Sequence, residues 1–163
     1  MKVRNTARIL LLNEQNRLLL FKMKDITVTS KENPRGEAVW FPPGGGVEEN
    51  ESFEEAAKRE LWEETGLKDQ VEWGPLVWIR NVNLFVNKKE THFIEYYYFA
   101  RTTGTKISME HFTDAEKGSY QSHYWWSLNE LRISKELIFP KQLAIQLPPL
   151  LQGEFPERPV YVE

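Results

Sequence analysis

Apolar residues in this chain gather in short runs separated by polar, turn-forming stretches. Residues 7–12 and 18–23 are almost continuously apolar and flank Asn13-Glu14-Gln15-Asn16. That pattern predicts a hairpin whose strands are buried on both faces. Residues 24–37 are polar and end near Asn33-Pro34-Arg35-Gly36, which predicts a loop. Residues 38–41 predict a short strand that stops at Pro42-Pro43, because proline has no N–H for a ladder. Residues 76–86 and 91–101 are rich in aromatic and β-branched side chains around Asn87-Lys88-Lys89-Glu90, a second and longer hairpin. Residues 102–121 are polar and predict a loop. Tyr124-Trp125-Trp126 predicts a strand, and residues 143–150 a C-terminal helix.

The clearest helix runs from Ser52 to Thr65. Ser52 and Glu55 have the spacing of a capping box, Glu54 and Glu55 suit the helix dipole, and Gly66 supplies a stop. At about 100° per residue, Phe53, Ala56, Ala57 and Leu61 form the inward face. Glu60, Glu63 and Glu64 crowd on or beside that face. Like charges three and four residues apart repel, more so when partly buried, so stability alone does not account for them. A hard divalent cation removes the conflict. The helix also follows Gly44-Gly45-Gly46, read as a turn whose backbone can approach phosphate closely.

The chain's 163 residues and 40% apolar content predict one domain, spanning 1–163, of mixed α/β (α+β) class with helices covering a sheet. A formal net charge of −3 offers no field for stable nucleic-acid or membrane binding. No cysteine is present, which excludes disulfides, thiolate metal sites and a cysteine nucleophile. No apolar run approaches the roughly 20 residues of a membrane span, and the first residues lack the features of a secretion leader. A cytoplasmic protein is expected.

From Gly45 the chain reads GGVEENESFEEAAKRELWEETGL: Gly45, five residues, Glu51, seven residues, then Arg59-Glu60-Leu61, Trp62, Glu63-Glu64, Thr65 and Gly66-Leu67. This resembles the Nudix box with every fixed position filled. Around it, the first hairpin, the Trp40–Gly46 approach, the second hairpin and the Tyr-Trp-Trp-Ser-Leu-Asn-Glu-Leu segment follow the order of a Nudix domain. Pro42-Pro43 departs from the commoner single proline.

The resemblance implies an α/β/α sandwich around a mixed β-sheet and Mg2+-dependent hydrolysis, with Mn2+ as the alternative ion. The linkage cut is the pyrophosphate of a nucleoside diphosphate joined to another moiety. It implies Glu60 and Glu64 as principal metal ligands, Glu63 as a further ligand or base, and the Gly44 carbonyl as an extra ligand. Arg59 and Glu51 resemble the structural brace. Glu116 is the candidate late-loop carboxylate, with Glu110 and Asp114 as alternatives, and Glu95 within reach from the second hairpin. Arg8, Phe41, Gly45 and Gly46 are candidates for substrate binding, and Arg4 and Arg80 are further cations that could grip phosphate. His92, His111 and His123 have no ligand spacing, and Trp62 reads as a surface or interface residue. The partner implied is a small nucleotide, a nucleoside triphosphate or a nucleotide sugar, and the family's frequent dimers imply a homodimer. The alternative from another class is a non-catalytic nucleotide-sensing or interaction module, against which the intact box carboxylates argue.

Overall fold

The computed structural model describes residues 1–104 and 106–163. Its strands form a mixed sheet with the path β3-β6-β7-β1-β2-β4, where β1 is Lys2–Leu12, β2 Leu18–Met23, β3 Val28–Thr29, β4 Val39–Phe41, β6 Val71–Val86 and β7 Lys89–Thr102. Three more strands lie off this path: β5 (Gly44–Gly46) on β1, β8 (Tyr120–Trp126) on β2, and β9 (Val160–Tyr161) on β6.

Residues 7–12 and 18–21 are largely buried, as continuous apolarity predicts, but the first hairpin is not a ladder. β1 and β2 share one register pair, Leu12↔Leu18, after a turn in which the Asn13 carboxamide accepts from the Gln15 and Arg17 N–H groups. The strands then part. β1 runs parallel to β7 over its whole length, and β2 pairs with β4 and β8. Central strands with two neighbours need apolar residues on both faces, hence their unalternating pattern. The second hairpin is a true one, from Val86↔Lys89 to Val71↔Thr102.

Each sheet face has its own core. On one face α1 (Phe53–Thr65) packs Ala56, Ala57 and Leu61 against Ala7, Ile9 and Leu19. On the other, Leu131 of α3 (Leu128–Ile133), Leu143 of α4 (Leu143–Gln146) and Leu150 of α5 (Pro148–Leu151) join Leu10, Leu20 and Trp78. This is the expected sandwich. The single C-terminal helix is instead two, because Pro148-Pro149 cannot continue α4 but suits the start of α5. The polar segment 102–121 is not all loop either: it holds α2 (Asp114–Ser119), started by a Thr113–Glu116 capping box. Among the described residues no helix is long and apolar enough to cross a membrane.

Candidate functional site

Local rules set α1 where its carboxylates matter. The Ser52 hydroxyl accepts from the Glu55 N–H, the Glu55 carboxylate accepts from the Ser52 N–H, and Gly66 closes the helix in the left-handed region at φ 76°. The buried stripe of the helix includes Glu60 and Glu64 along with Ala56, Ala57 and Leu61.

The triple glycine forms strand β5 rather than the expected turn, pairing Gly46, Gly45 and Gly44 with Thr6, Ala7 and Arg8. Absent side chains permit this. A Cβ on Gly45 would stand 2.5 Å from the Glu60 carboxylate, and one on Gly44 would collide with the Ala7 carbonyl. The Gly44 N–H donates to Glu64 at 3.2 Å, while its carbonyl accepts from Arg8 at 3.1 Å. β5 therefore lies directly against the carboxylates. Helix α1 begins only after a further connecting segment, so its N-terminus is not at the glycines.

Carboxylate oxygens of Glu60, Glu64 and Glu116 all lie within 4.8 Å of one another. Burial raises the Glu60 pKa to about 7; Arg59 opposes the rise, and Glu63 and Glu116 add to it. Glu64 is pushed well above the ordinary carboxylate range, first by burial and then by Glu60 and Glu116. Glu116 reaches the cluster from α2, where one of its oxygens accepts from the Thr113 N–H. Glu110 and Asp114, the alternatives, are exposed and outside the cluster.

Arg59 binds five acceptor oxygens on four residues around this group. Its Nε and Nη2 hold Glu51 at 2.7 and 2.9 Å, Nη2 also reaches the Gly46 carbonyl at 2.9 Å, and Nη1 contacts Glu60 and Glu63 at 3.0 and 3.2 Å. Glu63 thus sits beside the cluster with one oxygen on Arg59.

Glu95 does not reach the carboxylates. It is buried and accepts from Arg80 at 2.8 Å, Arg8 at 3.3 Å and the Tyr97 hydroxyl at 3.1 Å. Burial alone would raise its pKa, but Arg8 and Arg80 hold it below the ordinary value. Arg8 lies over the Phe41 ring at 4.8 Å, and Arg80 over Phe139 at 5.3 Å. Beside the carboxylate cleft opens a cavity of about 280 Å³ between the sheet and the 24–37 connection; Arg8, Phe41, Gly45 and Gly46 line both spaces.

The tempting residues have local partners. His92 meets the Asn83 side chain, His123 the Tyr120 hydroxyl, and His111 stacks on Trp62 at 4.0 Å, which gives that tryptophan a neighbour within its own chain. Sequence reading missed two features with available signals. Thr113 and Glu116 had capping-box spacing that marks α2, and Arg80 opposite Glu95 follows from the register of the second hairpin.

The sequence profile of the NUDIX domain matches residues 2–147. The phosphatase NudJ of Escherichia coli (strain K12) is 50% identical over 40 residues, 24% of this chain and 26% of that protein. The match thus spans about a quarter of that relative's length. The crystal structure of the MutT protein from Methanosarcina mazei Go1 superposes with a TM-score of 0.55 at 25% identity, covering 83% of this chain and 85% of that one. A NUDIX hydrolase from Nitrosomonas europaea shares the fold at a TM-score of 0.61 and 17% identity, over 94% and 92% of the two chains.

Proposed function

This chain belongs to the NUDIX domain family, and from that membership we propose that it hydrolyses the pyrophosphate linkage of a nucleoside diphosphate joined to another group, using a divalent cation. The observation that carries the proposal is the Glu60–Glu64–Glu116 cluster within 4.8 Å. Three carboxylates, two of them buried, repel one another, and the pKa values of Glu60 and Glu64 are raised first by burial and then by the neighbouring carboxylates. Hard oxygen donors at this density fit Mg2+, with Mn2+ as a substitute.

Glu60 and Glu64 are the residues that would hold the ion, with Glu116 beside them. When bound, such an ion lowers the pKa of water and stabilises charge on phosphate oxygens. Glu116, which joins the cluster from α2 while Glu60 and Glu63 each have an oxygen on Arg59, would accept the proton of the attacking water. Water adds to one phosphorus, the bridging P–O bond breaks, and a nucleoside monophosphate leaves with a second phosphorylated product. Arg59 and Glu51 keep β5 against α1. Arg8, fixed by Glu95, tethers Gly44 to β1 through its carbonyl.

Purified protein with Mg2+ and a panel of nucleoside triphosphates and nucleotide sugars tests this reading. A triphosphate cut to monophosphate leaves pyrophosphate and so releases orthophosphate with added inorganic pyrophosphatase, which an uncut triphosphate does not. A cut nucleotide sugar releases it only with alkaline phosphatase. Loss of the parent nucleotide, followed directly by chromatography without a coupling enzyme, is expected to stop with EDTA. Mg2+ binding without turnover on any member would instead favour a nucleotide-sensing module.

Glu60 and Glu64 both contribute to the pH dependence, and Glu60 supplies a defined window. The folded-state pKa of Glu60, about 7, exceeds the ordinary 4.5, so the folded state binds more protons between those values. The metal-free protein therefore loses this contribution to stability as pH rises through that window. A cation competes with those protons. The thermal shift produced by Mg2+ is expected to be larger at pH 8 than at pH 6, and Glu60→Gln to narrow the difference, with Glu64 keeping part of it. An equal shift at both pH values in the wild type would contradict the assignment.

A further inference from the structure

Among the described residues, four guanidiniums line the carboxylate cleft and the adjoining cavity: Arg4, Arg8, Arg59 and Arg80. Three are committed to carboxylates. Arg59 holds Glu51, Glu60 and Glu63, while Arg8 and Arg80 share Glu95. Arg4 is exposed and forms no ion pair with a described residue. It rests over the Phe93 ring, 5.3 Å from the centroid, which restrains the guanidinium without neutralising it.

Arg4 lines the cavity and not the carboxylate cleft, but it stands next to a glycine that lines both. Nη2 of Arg4 lies 3.8 Å from the point where a Cβ on Gly46 would stand, and Gly46 lines both spaces. Alternation along β1 turns Arg4, Thr6 and Arg8 to one face, with Arg8 opposite Gly44 and Thr6 opposite Gly46. Successive residues on that face are about 7 Å apart. Arg4 is therefore one such step further from the Gly44 end, the end that touches Glu64, than Thr6 is.

We propose that Arg4 is a specificity-determining residue that binds a third phosphate, beyond the pair engaged at the carboxylate cluster, and so favours nucleoside triphosphates over nucleotide sugars. The inference rests on the hydrolase reading for its substrate, but its test need not involve turnover. A nucleotide sugar has only two phosphates, so it leaves this guanidinium without an anion.

Calorimetric binding of a non-hydrolysable bis-methylene nucleoside triphosphate and a methylene nucleoside diphosphate, both with Mg2+, reads the effect directly. Wild type is expected to bind the triphosphate analogue about tenfold tighter, the scale of one charge-assisted contact near the surface. Arg4→Gln should shrink that gap below twofold, and Arg4→Lys should restore part of it. Lys2→Gln, an exposed neighbour on the same strand that lines neither space, should keep the full gap. The proposal is overturned if wild type shows no gap, or if Arg4→Gln weakens both analogues equally or leaves the gap intact. Hydrolysis measured alongside separates the two ideas: a wild type that cleaves neither substrate class overturns the hydrolase reading, while the gap still judges Arg4.

Discussion

Glu64→Gln is expected to lower Mg2+-supported turnover on the order of 10³-fold, with the metal-free fold as stable as wild type or more so. Cation stabilisation of a phosphoryl transition state supplies several kcal/mol, and each 1.36 kcal/mol is tenfold in rate, so losing a principal ligand reaches about that size. Stability should move little because glutamine keeps an acceptor for the Gly44 N–H, now 3.2 Å from the Glu64 carboxylate. The substitution also removes a buried charge that lies beside Glu60 and Glu116. Steady-state rates, Mg2+-induced thermal shift and urea unfolding together check this. A variant with the wild-type rate would sink the assignment of Glu64. A variant that unfolds would mean the residue is structural first.

Arg59→Ala should give the largest loss of stability, about 3 kcal/mol, and remove most activity with it. Its side chain is 22% exposed, and its partners Glu51 and Glu60 are 14% and 10% exposed. Removing one member of a buried pair leaves the other charge uncompensated, which costs roughly 3–5 kcal/mol when burial is complete. Here the loss spans two strongly held carboxylates and the Gly46 carbonyl, at partial exposure. For a chain of this size the melting temperature should fall by about 10 °C. Arg59→Lys should recover less than half, because a compact ammonium cannot match the planar fork that engages both Glu51 oxygens. A change under about 1 kcal/mol would show that Arg59 does not brace β5 against α1.

These two residues were legible in the chain because their roles follow from local spacing. Three glutamates within one turn of an amphipathic helix, a capping box ahead and a glycine stop behind, are set by helical periodicity alone. Other parts were not legible. The first hairpin looked like a ladder, yet β1 takes β7 as its parallel partner, a contact between residues about 90 positions apart that no local pattern encodes. Glu95 looked able to reach the metal cluster, and its strand register instead sets it opposite Arg80. Glu116 was one of three acids in a polar stretch; α2 carries it, and not Glu110 or Asp114, to Glu60 and Glu64.

What the sequence by itself determined was the glutamate-rich helix, the family it resembles and the longer strands of the sheet, since each depends on periods of two or 3.6 residues and on turn chemistry, whereas the short strands β3, β5 and β9 were not legible. The tertiary structure alone decided which distant side chains share a space. It put Glu116 on the cluster, tied Arg8 and Arg80 to one buried carboxylate, and left Arg4 beside Gly46 with no ion pair among the described residues. The physical reason is that pairing and burial of a charge depend on strand register and on which elements meet across the sheet, and those long-range contacts are set by the packing of the whole core.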